Sequence, residues 1–319
     1  MGNKPEIENQ SALTNRYARY RQMLCCAQPE LDEVLRQGGL ERTSFAKLSL
    51  RFDVILLDAF GVLNLGNQPI PGSVEAVTEL IRRQHPLLVV SNNASQSPSS
   101  LNRRLNEMGF LFDLTQILSS GMAVHPFIEA SDYRDRPYFL VGSEESASFY
   151  APDPTNLMVN QRDATRPLND AEYVLMCSNR DYYGTQQQAL LNKLLHHQPL
   201  PLMLANPDLA TPKPNGTLEA VAGFTAMDLA DRFQTTLIGI GKPFQPIFQE
   251  VRNRFPSVPP DRFLMVGDTL DTDILGAKAM GFASCLAMSG AYAGWDATLE
   301  ILCEERGIFP DYVIPCLGS

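Results

Sequence analysis

No C-x-x-C pair and no cysteine–histidine spacing of a metal site occurs in this sequence. Its six cysteines are Cys25, Cys26, Cys177, Cys285, Cys303 and Cys316, and apart from the adjacent first two they are scattered. Neither a zinc site nor a disulfide framework is indicated by that pattern. Nowhere do about eighteen apolar residues run consecutively, and the first twenty residues are polar, without an apolar stretch of signal-peptide length. A cytoplasmic protein with reduced thiols and no membrane partner is the expectation. Basic residues are also in short supply: 26 Lys and Arg stand against 36 Asp and Glu, a net charge of −10. That balance opposes a broad nucleic-acid surface, although it is compatible with a local basic pocket for a small anion. No internal repeat or low-complexity tract is visible. Of the four histidines, His196 and His197 sit at a predicted helix end, where the helix dipole accounts for them.

What remains is an ordinary globular composition, 319 residues with 44 % hydrophobic and 19 % charged, which fits two domains or one large α/β domain. Residues 1 to about 48 carry two stretches of helical spacing, Tyr17 to Leu24 and Leu31 to Leu35, and read as a helical arm. From Phe52 the pattern changes. Val54-Ile55-Leu56-Leu57 is a continuous apolar run that stops at Asp58, as expected of a strand buried on both faces of a parallel sheet. A helix over Val74 to Ile81, a strand over Leu87 to Val90 and a helix over Ser99 to Met108 follow. The same rhythm returns near the end, with Phe263 to Val266, a helix over Ile274 to Met280, and Ala283 to Ala287. Strands alternating with helices imply right-handed βαβ units and a doubly wound parallel sheet. Residues 49–121 and 237–319 are therefore expected to form one α/β core, and 122–236 a second, smaller α/β domain. Tyr138 to Val141, Tyr173 to Met176 and Leu202 to Leu204 are the predicted strands of that insert.

Doubly wound sheets bind ligands beyond the carboxyl ends of their strands, so the polar residues that end apolar runs are the candidates for chemistry. Four stand out: Asp58, Ser91, Lys242 after Leu237 to Gly241, and Asp268. Taken singly, each has an ordinary reading as a cap, turn or surface residue. Together they describe a pocket for a phosphoryl group. Gly61 permits a tight turn, and two carboxylates at one edge repel unless a divalent cation bridges them, for which oxygen ligands and water suit Mg²⁺. Ser91 supplies a hydroxyl, the amides after it, beginning with Asn92, suit an anionic oxygen, and Lys242 supplies positive charge.

These residues resemble the haloacid dehalogenase-like superfamily. Asp58-Ala59-Phe60-Gly61-Val62-Leu63, Val90-Ser91-Asn92-Asn93, Gly241-Lys242-Pro243 and Gly267-Asp268-Thr269-Leu270-Asp271-Thr272-Asp273 are similar to its four motifs, in order. The long gap between the second and third, together with Ser91-Asn92-Asn93-Ala94-Ser95 and Asn206-Pro207-Asp208, is similar to the branch of NagD-type, p-nitrophenyl phosphate and phosphoglycolate phosphatases. The resemblance spans about residues 50 to 317. It implies a Rossmann-like core with a large α/β cap over a pocket for small molecules. It also implies a Mg²⁺-dependent phosphatase of a small phosphorylated metabolite in which Asp58 becomes an aspartyl-phosphate. Asp58, the backbone carbonyl of Phe60 and Asp268 would hold the metal, with Asp273 in or near the second shell of ligands. Ser91, Asn92 and Lys242 would bind phosphoryl oxygens, Lys242 also assisting catalysis. A homodimer through the cap is the assembly it implies.

One position departs from the pattern. Two residues after the nucleophile the phosphatases of this superfamily usually carry an acid that protonates the leaving group; here it is Phe60, which has no proton to give. A positioned acid or base is worth about 10² to 10⁴ in rate. Three outcomes stay open: a slow phosphatase, or one using weakly basic leaving groups such as aryl or acyl phosphates; an acid supplied by the insert, with Asp181 and Asp208 as candidates; or another class. The last includes a haloacid dehalogenase, which also carries an aromatic residue there but works without metal, and a non-catalytic phospho-ligand-binding protein.

Overall fold

In a computed structural model of the chain, residues 6–7, 10–160, 166–212 and 218–319 are described. Their contacts form two compact units. The larger holds Tyr17–Ser91, Pro98–Leu118 and Pro243–Ser319; the smaller holds, among the described residues, those up to Arg16, Asn92–Ser97 and Ser119–Lys242.

A seven-stranded sheet runs through the larger unit in the order Glu41–Arg42, Tyr312–Ile314, Ala283–Ala287, Phe263–Gly267, Val54–Leu57, Leu87–Ser91 and Ile117–Ser119. The central pairings are parallel, with Leu57 opposite Val266 on one side and Val89 on the other. Side chains alternate between faces along each strand. Ile55, Leu57, Val89, Leu264 and Val266 enter one core cluster with Val77 and Leu80 of the helix Ser73–Arg82 and Leu101 and Leu105 of the helix Pro98–Glu107. On Phe263 the ring stacks at 4.6 Å with Phe282, which meets Phe248 of the helix Gln245–Arg254 edge-on at 6.0 Å. Each apolar run is thus continuous because helices cover the sheet on both sides.

The smaller unit carries a four-stranded parallel sheet in the order Leu237–Gly239, Leu202–Leu204, Tyr173–Met176, Tyr138–Val141. The last three are the strands expected of the insert. The sequence reading assigns Leu237–Gly239 to the core, but this strand pairs with Leu202–Leu204, Leu237 opposite Leu202. An apolar run that ends in Gly-Lys suits a parallel strand in either sheet, and only the pairing tells them apart. The chain returns to the larger unit at Pro243.

The N-terminal segment forms the expected helices, Gln10–Ala27 and Leu31–Arg36, and does more than an arm would. Tyr20 is fully buried with its ring 5.1 Å from Phe244, and Glu41–Arg42 adds an edge strand beside Tyr312–Val313. Glu6–Ile7 pairs antiparallel with Leu218–Glu219 in the smaller unit. Among the described residues no helix is long and apolar enough to cross a membrane.

Candidate active site

Parallel pairing brings three strand ends to the same edge of the larger sheet. The Asp58 N–H donates to the Val266 carbonyl at 2.9 Å, which sets Asp58 beside the end of the Phe263–Gly267 strand. Asp58, Asp268 and Asp273 are 9 %, 6 % and 1 % exposed, and each offers a carboxylate oxygen within 4.8 Å of the others. A widened helical turn over Leu270–Ile274 carries Asp273 back to Asp268: the Thr269 carbonyl accepts from Asp273 N at 3.1 Å and from Ile274 N at 3.3 Å. Asp268 is fixed at both oxygens, by Thr269 Oγ1 at 3.0 Å and the Ala291 N–H at 2.7 Å. The Thr269 N–H donates to Asp273 Oδ2 at 3.2 Å.

Glycines make the room. A Cβ at Gly61 or at Gly290 would stand 2.0 Å from Asp268 Oδ2, and one at Gly267 would stand 2.1 Å from Asp273 Cβ. Gly61 also has φ +85°, a left-handed conformation that the turn after Asp58 requires. Its carbonyl accepts from Ser289 Oγ at 2.7 Å, tying that turn to the Ser289–Ala291 loop. Three ionised carboxylates this close repel by about 3 to 4 kcal/mol per pair at an effective dielectric of about 20. The donor set is oxygen only, partly buried and crowded into place by glycines, and it fits a hard divalent cation such as Mg²⁺ or Ca²⁺. Asp273, expected in or near the outer ring of ligands, offers one of the three clustered carboxylate oxygens.

Behind the cluster lies a buried ion pair. Arg306 Nη1 donates to Asp271 Oδ2 at 2.9 Å, with both side chains almost entirely enclosed. Burial pushes the Asp271 carboxyl up to about 6, against the opposing pull of Arg306.

Ser91 ends the neighbouring strand of the same sheet and is buried. Phe60 is half-buried and bridges to Asn64 across the turn. The other two sequence-derived candidates belong to the smaller unit. Lys242 is 2 % exposed, and Asn92 bonds to its backbone on both sides: Asn92 Oδ1 accepts the Lys242 N–H at 2.7 Å, and Asn92 Nδ2 donates to the Lys242 carbonyl at 3.0 Å. The Asn92 side chain is thereby engaged with protein groups, which leaves its backbone amide as the group suited to an anion. Of the two acids considered as substitutes for the missing one, Asp208 accepts from Asn92 Nδ2 at 2.8 Å, and Asp181 is exposed. Thr269, Gly290, Ala291 and Arg306 escape sequence reasoning as parts of the site. Thr269 lies inside a quoted motif, but nothing in the spacing marks Gly290 or Arg306.

A model of the haloacid dehalogenase-like hydrolase family matches residues 55–151, and a second, HAD-hydrolase-like model matches residues 239–317. D-glycerol 3-phosphate phosphatase of Mycobacterium tuberculosis is 28 % identical over 77 % of this chain, which spans 65 % of that relative's length. The fold is shared with p-nitrophenyl phosphatase from Archaeoglobus fulgidus, at TM-score 0.70 and 23 % identity over 84 % of this chain and 97 % of that one. It is shared too with a glycerol phosphate phosphatase from Mycobacterium tuberculosis solved in complex with calcium, at TM-score 0.68 and 24 % identity over 86 % of this chain and 76 % of that one.

Proposed function

The chain belongs to the haloacid dehalogenase-like hydrolases, and from that membership we propose that it is a Mg²⁺-dependent phosphatase of a small phosphorylated metabolite, with the smaller unit as its cap. The observation that carries this reading is the meeting of Asp58, Asp268 and Asp273 at one sheet edge within 4.8 Å. The names of the relatives, phosphatases of glycerol phosphate and p-nitrophenyl phosphate, and the calcium complex of one of them support it.

In this reading a carboxylate oxygen of Asp58 attacks phosphorus, an O–P bond forms, and the bond to the leaving oxygen breaks. Water then attacks the aspartyl-phosphate, releasing inorganic phosphate and restoring Asp58. Ser91 Oγ, the Asn92 N–H and the Lys242 ammonium hold the phosphoryl oxygens, and Lys242 offsets the repulsion between Asp58 and an anionic substrate. Asp58, Asp268 and the Phe60 carbonyl would hold the cation, with Asp273 completing the acidic set. When bound, that ion supplies electrostatic stabilisation of the transferring group.

Phe60 narrows the substrate class. It cannot protonate a departing oxygen, so the reading favours weakly basic leaving groups, aryl or acyl rather than alkyl phosphates. A panel of phosphorylated metabolites assayed with and without Mg²⁺, alongside Asp58→Asn, tests it. Continuing phosphate release abolished by chelator and by Asp58→Asn is expected. Ligand binding without phosphate release or phospho-Asp58 would replace the enzyme with a phospho-ligand sensor, and chloride release from a haloacid in the presence of chelator would replace it with a dehalogenase.

A further inference from the structure

We propose that Asn92 is a positioning residue for Lys242, with Asp208 fixing the orientation of its amide; this rests on the reading of Lys242 as a phosphoryl-binding group. All three residues lie in the smaller unit. One side-chain amide engages both backbone groups of a residue 150 positions away in sequence, accepting from its N–H and donating to its carbonyl. The second Nδ2 hydrogen goes to Asp208 Oδ1 at 2.8 Å. Rotating the amide by half a turn would aim its oxygen at a carboxylate and a carbonyl, both acceptors, and its NH₂ at an N–H. The network therefore admits a single orientation.

The clamp is built into its surroundings. A Cβ at Gly241 would stand 2.6 Å from Asn92 Oδ1, 2.5 Å from Pro207 Cδ and 2.7 Å from the Ala205 carbonyl, so glycine is what lets the chain reach Asn92. Asp208 is held in turn: its N–H donates to Asn206 Oδ1 at 3.0 Å, and its carbonyl accepts from the Gly223 N–H at 3.0 Å. On the other side, Ser143 Oγ donates to the Ser95 carbonyl at 2.9 Å and Ser146 Oγ to the Ala94 carbonyl at 2.8 Å, which secures the segment after Asn92. Lysine presents its charge on a flexible four-carbon stem. Fixing the base of that stem lowers the ordering cost of bringing the ammonium to an anion.

The test is calorimetric and needs no turnover: binding of orthovanadate in the presence of Mg²⁺, and of Mg²⁺ alone, to the full chain. Asn92→Ala should weaken orthovanadate roughly 10-fold or more, the scale of losing buried hydrogen bonds, while Mg²⁺ affinity stays within about twofold because its carboxylates lie in the other unit. A merely structural defect would lower both. Asp208→Ala, which frees the amide but keeps it, should give a smaller loss of the same kind and serves if Asn92→Ala does not fold. Asn92→Asp should bind orthovanadate worse than the double variant Asn92→Asp/Asp208→Asn, in which the amide at position 208 donates across the pair in place of two facing carboxylates, while the Lys242 carbonyl lacks its donor in both. Wild-type orthovanadate affinity in Asn92→Ala, equal losses of both ligands, or no recovery in the double variant would overturn the proposal. Lys242→Ala separates the two levels. If it binds orthovanadate normally, the role given to Lys242 fails and the clamp with it; if it is impaired while Asn92→Ala is not, the clamp alone fails.

Discussion

Arg306 holds Asp271 at 2.9 Å from beneath the turn that carries Asp273, and the pair is almost fully withdrawn from water. Burial outweighs the arginine, so the Asp271 carboxyl is raised to about 6 in the folded chain from an ordinary value of 3.8. A raised carboxyl stabilises the fold below its unfolded value and loses that contribution as pH rises through its folded value. The unfolding free energy of the wild type minus that of Asp271→Asn should therefore fall between pH 4 and pH 7, by about 2 kcal/mol. Urea unfolding at the two pH values measures it. A difference that grew with pH would mean that the Arg306 attraction outweighs burial.

In the proposed phosphatase reaction, Phe60→Asp adds a carboxyl at the position from which a proton would reach the departing oxygen. Turnover of an alkyl phosphate such as glycerol phosphate should rise by about 10², with little change for p-nitrophenyl phosphate, whose leaving group needs no proton. Steady-state rates on the two substrates make the comparison. An equal effect on both would show that Phe60 acts through pocket shape instead.

Gly290→Ala isolates crowding from backbone conformation, because Gly290 is not among the residues at positive φ. Its new Cβ would meet Asp268 Oδ2 at 2.0 Å and push the carboxylate from its place. Mg²⁺ affinity, read by calorimetry, should fall at least roughly 10-fold, the scale of disturbing a metal site's supporting shell. Unchanged affinity would remove Asp268 from the metal set.

The cysteines divide by burial. Cys177 and Cys303 are buried and their thiols are pushed up to about 12; Cys285 is raised by burial as well. Cys26 is exposed, and Cys25 and Cys316 partly so. Since the thiolate is the reactive form, a thiol-specific disulfide reagent at pH 8 should modify Cys26 fastest and leave Cys177, Cys285 and Cys303 untouched until denaturant is added. Peptide mapping by mass spectrometry identifies the sites.

The acidic edge was readable in advance because of how parallel sheets are made. An apolar run buried on both faces must stop where the chain reaches water, and Asp58, Ser91 and Asp268 stand at such stops. The sheet to which a run belongs is a different matter. Leu237–Gly239 is as apolar as a core strand, and nothing in its pattern marks Leu202 as its partner, so Lys242 reads as part of the core although the strand before it lies in the other sheet. The Asn92 clamp and the crowding at Gly290 depend on long-range approach and leave no periodic trace. Glu41–Arg42, a two-residue edge strand, is too short for alternation to register.

The larger sheet joins Val54–Leu57 to Phe263–Gly267, whereas the smaller sheet draws its strands from 138 to 239. A ribosome therefore completes the second before it has made the central partner of the first. During synthesis the half-finished sheet waits with an open side, a vulnerable interval set by connectivity alone, and agents that shield unpaired strands would matter most then.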